Sequence, residues 1–316
     1  VYKRQIILSI VSLFCVNLYA QEMFSANRLT SEPHREGFPT WSPDGKFLVY
    51  QFSDRSDREN IKGKNGLWRM TKDGLDAKQI FSGLAEHPKW SPNGRFIVFD
   101  ADAGNSIKMI PADGGEPMDI LPDSIQIFRG GMPVWSPDSK QIAFLEGGTM
   151  WFCVADVETG EATKILHEEG KLPFPGGWYP DGKHLLVALM DQSSKKSTLW
   201  KISADGKQRT QITGHHESFY RHMALSPDGK WLVYVALEGR DMGLWIMRAD
   251  GGKTVPLSVT HLEEHPAHNE GPVWSPDGKH IAFISTRSGS FDIWRMDVDI
   301  PKVEEAFRLI GENKAR

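Results

Sequence analysis

Short, unbroken apolar runs recur along the chain at near-even intervals, each preceded by a polar turn and, in five of six cases, by a tryptophan. Phe47-Leu48-Val49-Tyr50, Phe96-Ile97-Val98-Phe99, Ile142-Ala143-Phe144-Leu145 and Leu232-Val233-Tyr234-Val235 are the clearest. Strict alternation of apolar and polar positions would mark a strand with one wet face, so these runs predict strands buried on both faces. The turns ahead of them are Trp41-Ser42-Pro43-Asp44-Gly45-Lys46, Trp90-Ser91-Pro92-Asn93-Gly94-Arg95, Trp135-Ser136-Pro137-Asp138-Ser139-Lys140, Trp178-Tyr179-Pro180-Asp181-Gly182-Lys183, Leu225-Ser226-Pro227-Asp228-Gly229-Lys230 and Trp274-Ser275-Pro276-Asp277-Gly278-Lys279. Proline presets φ at the second turn position, Ser and Asp bond the local backbone, and Gly tolerates the closing conformation. Each turn therefore predicts a hairpin.

Successive turn prolines lie 49, 45, 43, 47 and 49 residues apart. A period in the forties is what four short strands and four turns consume, which is one propeller blade. Later in the period come Leu67-Trp68, Met150-Trp151, Leu199-Trp200, Leu244-Trp245 and Ile293-Trp294 for a third strand, then Asp73-Gly74, Asp113-Gly114, Asp205-Gly206 and Asp250-Gly251 for a second turn. The expected fold is all-β: a six-bladed β-propeller, each blade a four-stranded antiparallel sheet, forming a single domain over residues 21–316. Ten of the eleven Trp residues occupy the two repeat positions, which points to packing between blades rather than to an aromatic ligand platform. Both Asn27-Arg28-Leu29-Thr30 and Phe307-Arg308-Leu309-Ile310 have the pattern of an outermost strand able to complete the sixth blade, and the pattern alone does not choose between them.

A formal charge of -4, with Lys and Arg scattered among Asp and Glu, excludes the basic stripe that a nucleic-acid partner needs. Lys3 and Arg4 precede an apolar run from Ile6 to Val16, and Leu18-Tyr19-Ala20 precedes Gln21. This is the pattern of a signal peptide over residues 1–20, too short to span a bilayer, and it predicts a soluble chain exported to the periplasm or beyond. Cys153 is then the only cysteine of the mature chain, so no intramolecular disulfide can form, and its place in an apolar strand marks a small buried side chain.

The repeated Trp-Ser-Pro-Asp-Gly-Lys, the Ile-Ala-Phe type strand after it and the Asp-Ile-Trp type third strand resemble the TolB-type propeller repeat, a WD40-like class, from Phe38 to Met296. The family's namesake places a separate α/β domain before its propeller. Only about seventeen residues separate the signal peptide from the first blade here, so the resemblance is to the propeller without that domain.

Strand order alone sorts the connections. The Pro-Asp-Gly and second turns share one end of the propeller, the turn end. Blade-to-blade and second-to-third-strand connections share the other, around the mouth of the channel, where a rigid scaffold holds binding loops. Nine of eleven histidines fall in blade-to-blade connections on that mouth end: His34, His87, His167, His215, His216, His222, His261, His265 and His268. By their offset from the inner strands, His87, Arg129, Tyr220, Arg221, His222, His265, His268 and Glu270 are the candidate ligand-binding residues. His265, His268 and Glu270 are the candidate ligands for a divalent metal ion, for which imidazoles and a carboxylate are suited. The charged loop from Asp54 to Gly66 reads as a solvated loop, with partner docking as the alternative. In Thr286-Arg287-Ser288-Gly289 the arginine reads as a backbone-binding structural residue.

Two functions follow. With no Gly-x-Ser-x-Gly elbow in the sequence, the resemblance implies first a binding scaffold of the cell envelope that seats a protein or peptide partner on the mouth. The alternative is a metal-dependent lyase acting on an anionic oligosaccharide, because some exported lyases resemble propellers with a metal held by mouth histidines. There the metal would neutralise a uronate carboxylate, His222 or Tyr220 would act as base, and Arg221 or Arg129 would clamp the carboxylate.

Overall fold

A computed structural model describes residues 25–314 apart from 58, 61, 128–129, 149, 214–221, 239–240 and 258–266. After a short strand β1 (Ala26–Arg28), the chain forms β2 (Arg35–Trp41), β3 (Phe47–Ser53), β4 (Gly66–Thr71) and β5 (Lys78–Ser82) as blade 1. Blade 2 is β6 (Ala85–Trp90), β7 (Phe96–Ala101), β8 (Ser106–Pro111) and β9 (Met118–Asp119). Blade 3 is β10 (Val134–Trp135), β11 (Gln141–Leu145), β12 (Phe152–Asp156) and β13 (Ala162–Leu166). Blade 4 is β14 (Lys171–Trp178), β15 (His184–Asp191), β16 (Ser197–Ser203) and β17 (Arg209–Gln211). Blade 5 is β18 (Met223–Leu225), β19 (Trp231–Glu238), β20 (Asp241–Arg248) and β21 (Thr254–Pro256). Blade 6 is β22 (Asn269–Trp274), β23 (His280–Ser285) and β24 (Asp292–Asp297), followed by a helix α1 (Ile300–Lys314). All pairings within blades are antiparallel, as the repeat predicts.

The sixth blade takes its fourth strand from the front of the chain. β1 pairs with β24, Ala26 opposite Met296 and Arg28 opposite Trp294, and the Arg28 guanidinium meets the buried Asp292 carboxylate at 2.9 Å. The other candidate strand, around Phe307, is helical. Val303, Ala306 and Phe307 are buried against Trp231, Val255 and Val298, an i, i+3, i+4 stripe that a strand could not present to one surface. Trp231 stacks on Phe307 with ring centroids 5.9 Å apart.

Six hydrophobic clusters account for the core among the described residues, one at each junction between neighbouring blades. The unbroken apolar runs follow from this. On β7, Ile97 and Phe99 pack toward blade 1 while Val98 between them packs toward blade 3. The repeated tryptophans bond the junctions as well as filling them. Trp135 Nε1 donates to the carbonyl of Lys89 at 3.0 Å, Trp178 to that of Val134 at 3.3 Å and Trp274 to that of Ala224 at 3.2 Å. Each indole thus reaches the same inner-strand carbonyl of the preceding blade.

Candidate functional site

The inner strands β2, β6, β14 and β22 do not run straight into the channel. Each slips register against its neighbour, between Gly37 and Thr40, Glu86 and Lys89, Pro175 and Gly177, and Glu270 and Val273. The slip is a bulge three residues before the repeat tryptophan. Phe38 (φ 48°), His87 (φ 50°), Met132 (φ 49°) and Gly271 (φ 55°) there adopt left-handed backbone, and a proline follows each of them. Proline has no N–H to leave unpaired, so it suits the position. For Phe, His and Met the conformation costs about 1 kcal/mol or more each.

One residue per blade lines the channel at this position, with or without the bulge. Phe38, His87, Met132, Pro175, His222 and Gly271, all at this one repeat position, line a cavity of about 50 Å³ in the channel. That is room enough for ordered water. The Phe38 and His87 rings lie 4.2 Å apart, and His222 meets Phe38 edge-on at 5.5 Å. At the next inward-facing position, one before the tryptophan, Lys89 and Val134 join the lining.

His87 is held from behind. Its Nδ1 donates to Asp100 Oδ2 at 2.8 Å, and the fully buried Asp100 also accepts the amides of Gly131 at 2.8 Å and Met132 at 3.2 Å. This carboxylate ties blade 2 to blade 3 and leaves Nε2 as the remaining polar atom of the His87 ring. A side chain at Gly130 would come within 3.1 Å of Asp100 Oδ2, which explains the glycine. Enclosure pushes the Lys89 ammonium down to about 8.

Of the residues singled out from sequence, His87 and His222 meet at the channel. Glu270 pairs with Arg35 at 3.5 Å, and Arg35 in turn lies over the Phe291 ring at 4.6 Å. His268 is held by its main chain at the edge of β22: its amide donates to Thr286 Oγ1 at 2.9 Å and its carbonyl accepts Thr286 N at 3.1 Å. Arg129, Tyr220, Arg221 and His265 lie outside the described residues, as do His215, His216 and His261. Among the described residues no three His, Cys, Asp or Glu side chains converge on one point. His34 sits 3.8 Å from Asp54 and His167 stacks on Trp151.

The remaining sequence motifs are structural. In the loop between β3 and β4, Asn65 donates to Asp57 O at 2.7 Å and Asp54 N donates to Asn65 Oδ1 at 2.6 Å, so the loop is packed by its own polar side chains. Arg287 bonds Ser285 Oγ at 3.0 Å and lies over Trp294 at 4.9 Å. Cys153 is buried and its thiol is pushed up to about 12 by burial, which makes it inert.

Sequence reading missed Phe38, Lys89, Met132 and Asp100. The signal was present as departures from the repeat. Where Asp100 stands, four of the other five blades carry Leu145, Ala188, Val235 and Ile284, with Gln51 in the first; where Lys89 stands, they carry Thr40, Val134, Gly177, Ala224 and Val273.

No family model matches the chain. The uncharacterized protein Atu1656 of Agrobacterium fabrum is 32% identical over 230 residues, 69% of this chain and 74% of that one. The Tol-Pal system protein TolB of Anaeromyxobacter sp. is 33% identical over 127 residues, 40% of this chain, and the match spans only 27% of that TolB's length. Among solved structures, the putative TolB from Agrobacterium tumefaciens superposes with a TM-score of 0.62 at 20% identity, covering 87% of this chain and 98% of that one. An oligogalacturonate lyase in complex with manganese does so with a TM-score of 0.59 at 15% identity, covering 88% and 94%. Six blades, the repeat and a relative matched over most of its length agree: the chain belongs to the TolB-like β-propeller family.

Proposed function

We propose that the protein is an exported binding scaffold whose channel mouth seats a protein or peptide partner. In this reading residues 1–20 are a signal peptide, residues 21–316 form the propeller, and the place of action is the periplasm. One observation carries it: the same repeat position in all six blades, fixed by a rigid ring, lines the channel with residues that differ in all but the two histidines. A scaffold that pre-positions its contacts loses little entropy when a partner docks. His268, Arg35 and Glu270 stand on the same end, and the sequence alone assigns Arg129, Tyr220, Arg221 and His265 to connections of that end. Membership of the TolB-like family supports the reading.

Retention of envelope proteins on the immobilised protein tests it. We expect a partner kept by the wild type to be lost from His268→Ala/Glu270→Ala and kept by Lys230→Ala on the turn end. Loss from the turn-end variant alone would overturn the placement.

A metal-dependent lyase is the second reading, favoured by the imidazole of His87 held by a buried carboxylate and by the likeness in fold to a lyase complexed with manganese. His265, His268 and Glu270 would hold the ion, which would neutralise a substrate carboxylate. Substrate would lie across the mouth loops. Elemental analysis of protein purified without chelator separates the readings. A near-stoichiometric divalent metal that disappears with His268→Ala would favour the lyase.

A further inference from the structure

The neck of the channel carries a cation that no described residue neutralises. Lys89 lines the cavity together with Phe38, His87, Met132 and His222, and among the described residues its ammonium has no hydrogen-bond or ion-pair partner. The neighbouring carboxylates are engaged elsewhere. Asp100 receives His87 and two amides, Glu86 accepts from Gln51 at 3.4 Å, and Glu270 faces Arg35. The other five blades place an uncharged residue at this position, so the repeat does not require the charge. A half-buried ammonium without a counter-charge is disfavoured unless something in solution supplies one. Phe38, Met132 and Val134 wall the space with apolar surface, which strengthens whatever charge pairing occurs there.

We propose that the channel neck binds a single carboxylate, with Lys89 as its counter-ion and His87 Nε2 as a second contact. The space takes a carboxylate group. The carboxylate could arrive on a small free acid or on an acidic side chain of a docked chain; the chemistry at Lys89 is the same. The inference does not rest on the mouth partner, because binding of a free acid can succeed where partner capture fails.

The full protein, labelled with ¹³C at the lysine ε-carbons, is titrated with sodium acetate against sodium chloride at constant ionic strength. The Lys89 resonance is the one missing from Lys89→Met. It should shift saturably with acetate and not with chloride, and its titration midpoint should rise. By thermal unfolding, acetate should protect the wild type, with a response at least about tenfold weaker in Lys89→Met, the loss of one charge-assisted contact. An unmoved resonance, or equal responses to the two anions, overturns the proposal. Should Lys89→Met not fold, Lys89→Arg, which keeps the charge, assigns the resonance and the rise in its midpoint on adding acetate to the wild type decides the question. A blocked pentapeptide with one Glu, compared with its Gln counterpart, separates the sources. Displacement of acetate by the Glu peptide alone assigns the site to a partner's side chain, and displacement by neither assigns it to a free acid.

Discussion

The two ends of the propeller are built from the same repeat and treat it differently. At the turn end the blades are near copies. Ser Oγ meets the turn Asp at 2.6 Å in blades 1 and 3 and at 2.5 Å in blades 5 and 6, and the amide two residues on meets the same oxygen at 3.1 Å in all four. At the mouth end left-handed backbone recurs at Phe38, His87, Met132 and Gly271, but the residues at this repeat position around the ring are Phe38, His87, Met132, Pro175, His222 and Gly271. Where side chain and backbone both repeat, selection has acted on folding. Where the backbone repeats and the side chain varies, the frame presents different chemistry blade by blade.

The sharpest way to break that distinction is Asp100→Ala. Asp100 departs from the repeat, so the comparison assigns it to the site; yet it also joins two blades, being fully buried with three donors directed at it. Removing it should destabilise the protein by about 3–5 kcal/mol. Asp100→Asn, which keeps an acceptor, should lose less. Denaturant midpoints for the two variants check this: a loss in Asp100→Asn as large as that in Asp100→Ala would show that the charge carries the whole effect, and no loss in Asp100→Asn that an acceptor alone suffices.

Next in size is Glu36→Gln. Glu36 is buried on β2 near Asp292 and Glu32, and burial pushes its carboxyl up to about 7. A folded-state value above the ordinary one means that the folded state holds the proton. The stabilisation is complete below about 4.5 and is lost as pH rises through 7. The loss should approach about 3 kcal/mol. Unfolding at pH 5 and pH 8 should show the decline in the wild type and its absence in Glu36→Gln.

Lys89→Met should move stability the other way. The lysine's folded value of about 8 lies below its ordinary 10.5, so the folded state bears an unfavourable charge below pH 8 and is relieved of it as pH rises toward 10.5. The gain at pH 7 should be about 1–3 kcal/mol, reduced from the full shift because the side chain retains some contact with water. It should vanish in strongly alkaline buffer.

The same contrast explains what could be read from the sequence. The period and the six turns gave blade number, strand order and the buried second strands, because each depends on local chemistry repeated many times. Closure of the ring was not legible. Asn27-Arg28 and Phe307-Arg308 carry similar patterns, and only the i, i+3, i+4 spacing of Val303, Ala306 and Phe307 hinted at a helix. At the mouth, His87 and His222 were found by counting from the inner strand. Phe38 and Met132 were not, since backbone at positive φ turns inward residues that strand alternation would assign otherwise. Pairs such as Arg35 with Glu270, 235 positions apart, depend on the ring being closed and have no local signature.

The smallest effect should be at the turn end, and the protein contains its own control. Blade 2 has Asn93 where its neighbours have Asp, and it makes the same two contacts: Ser91 Oγ at 2.8 Å and Arg95 N at 3.0 Å. The turn therefore needs an oxygen acceptor and not a charge. Asp277→Asn should leave the unfolding midpoint nearly unchanged, while Asp277→Ala, which abandons Ser275 Oγ and Lys279 N, should destabilise by at most about 1 kcal/mol. The bond from Ser275 holds the Asp277 carboxyl below its usual range, so its contribution is present above about pH 4 and is lost only in stronger acid. Asp277→Asn should remove that acid dependence and little else. A large loss in Asp277→Asn would mean that the turns carry charge for a purpose of their own, and the division between a framing end and a binding end would fail.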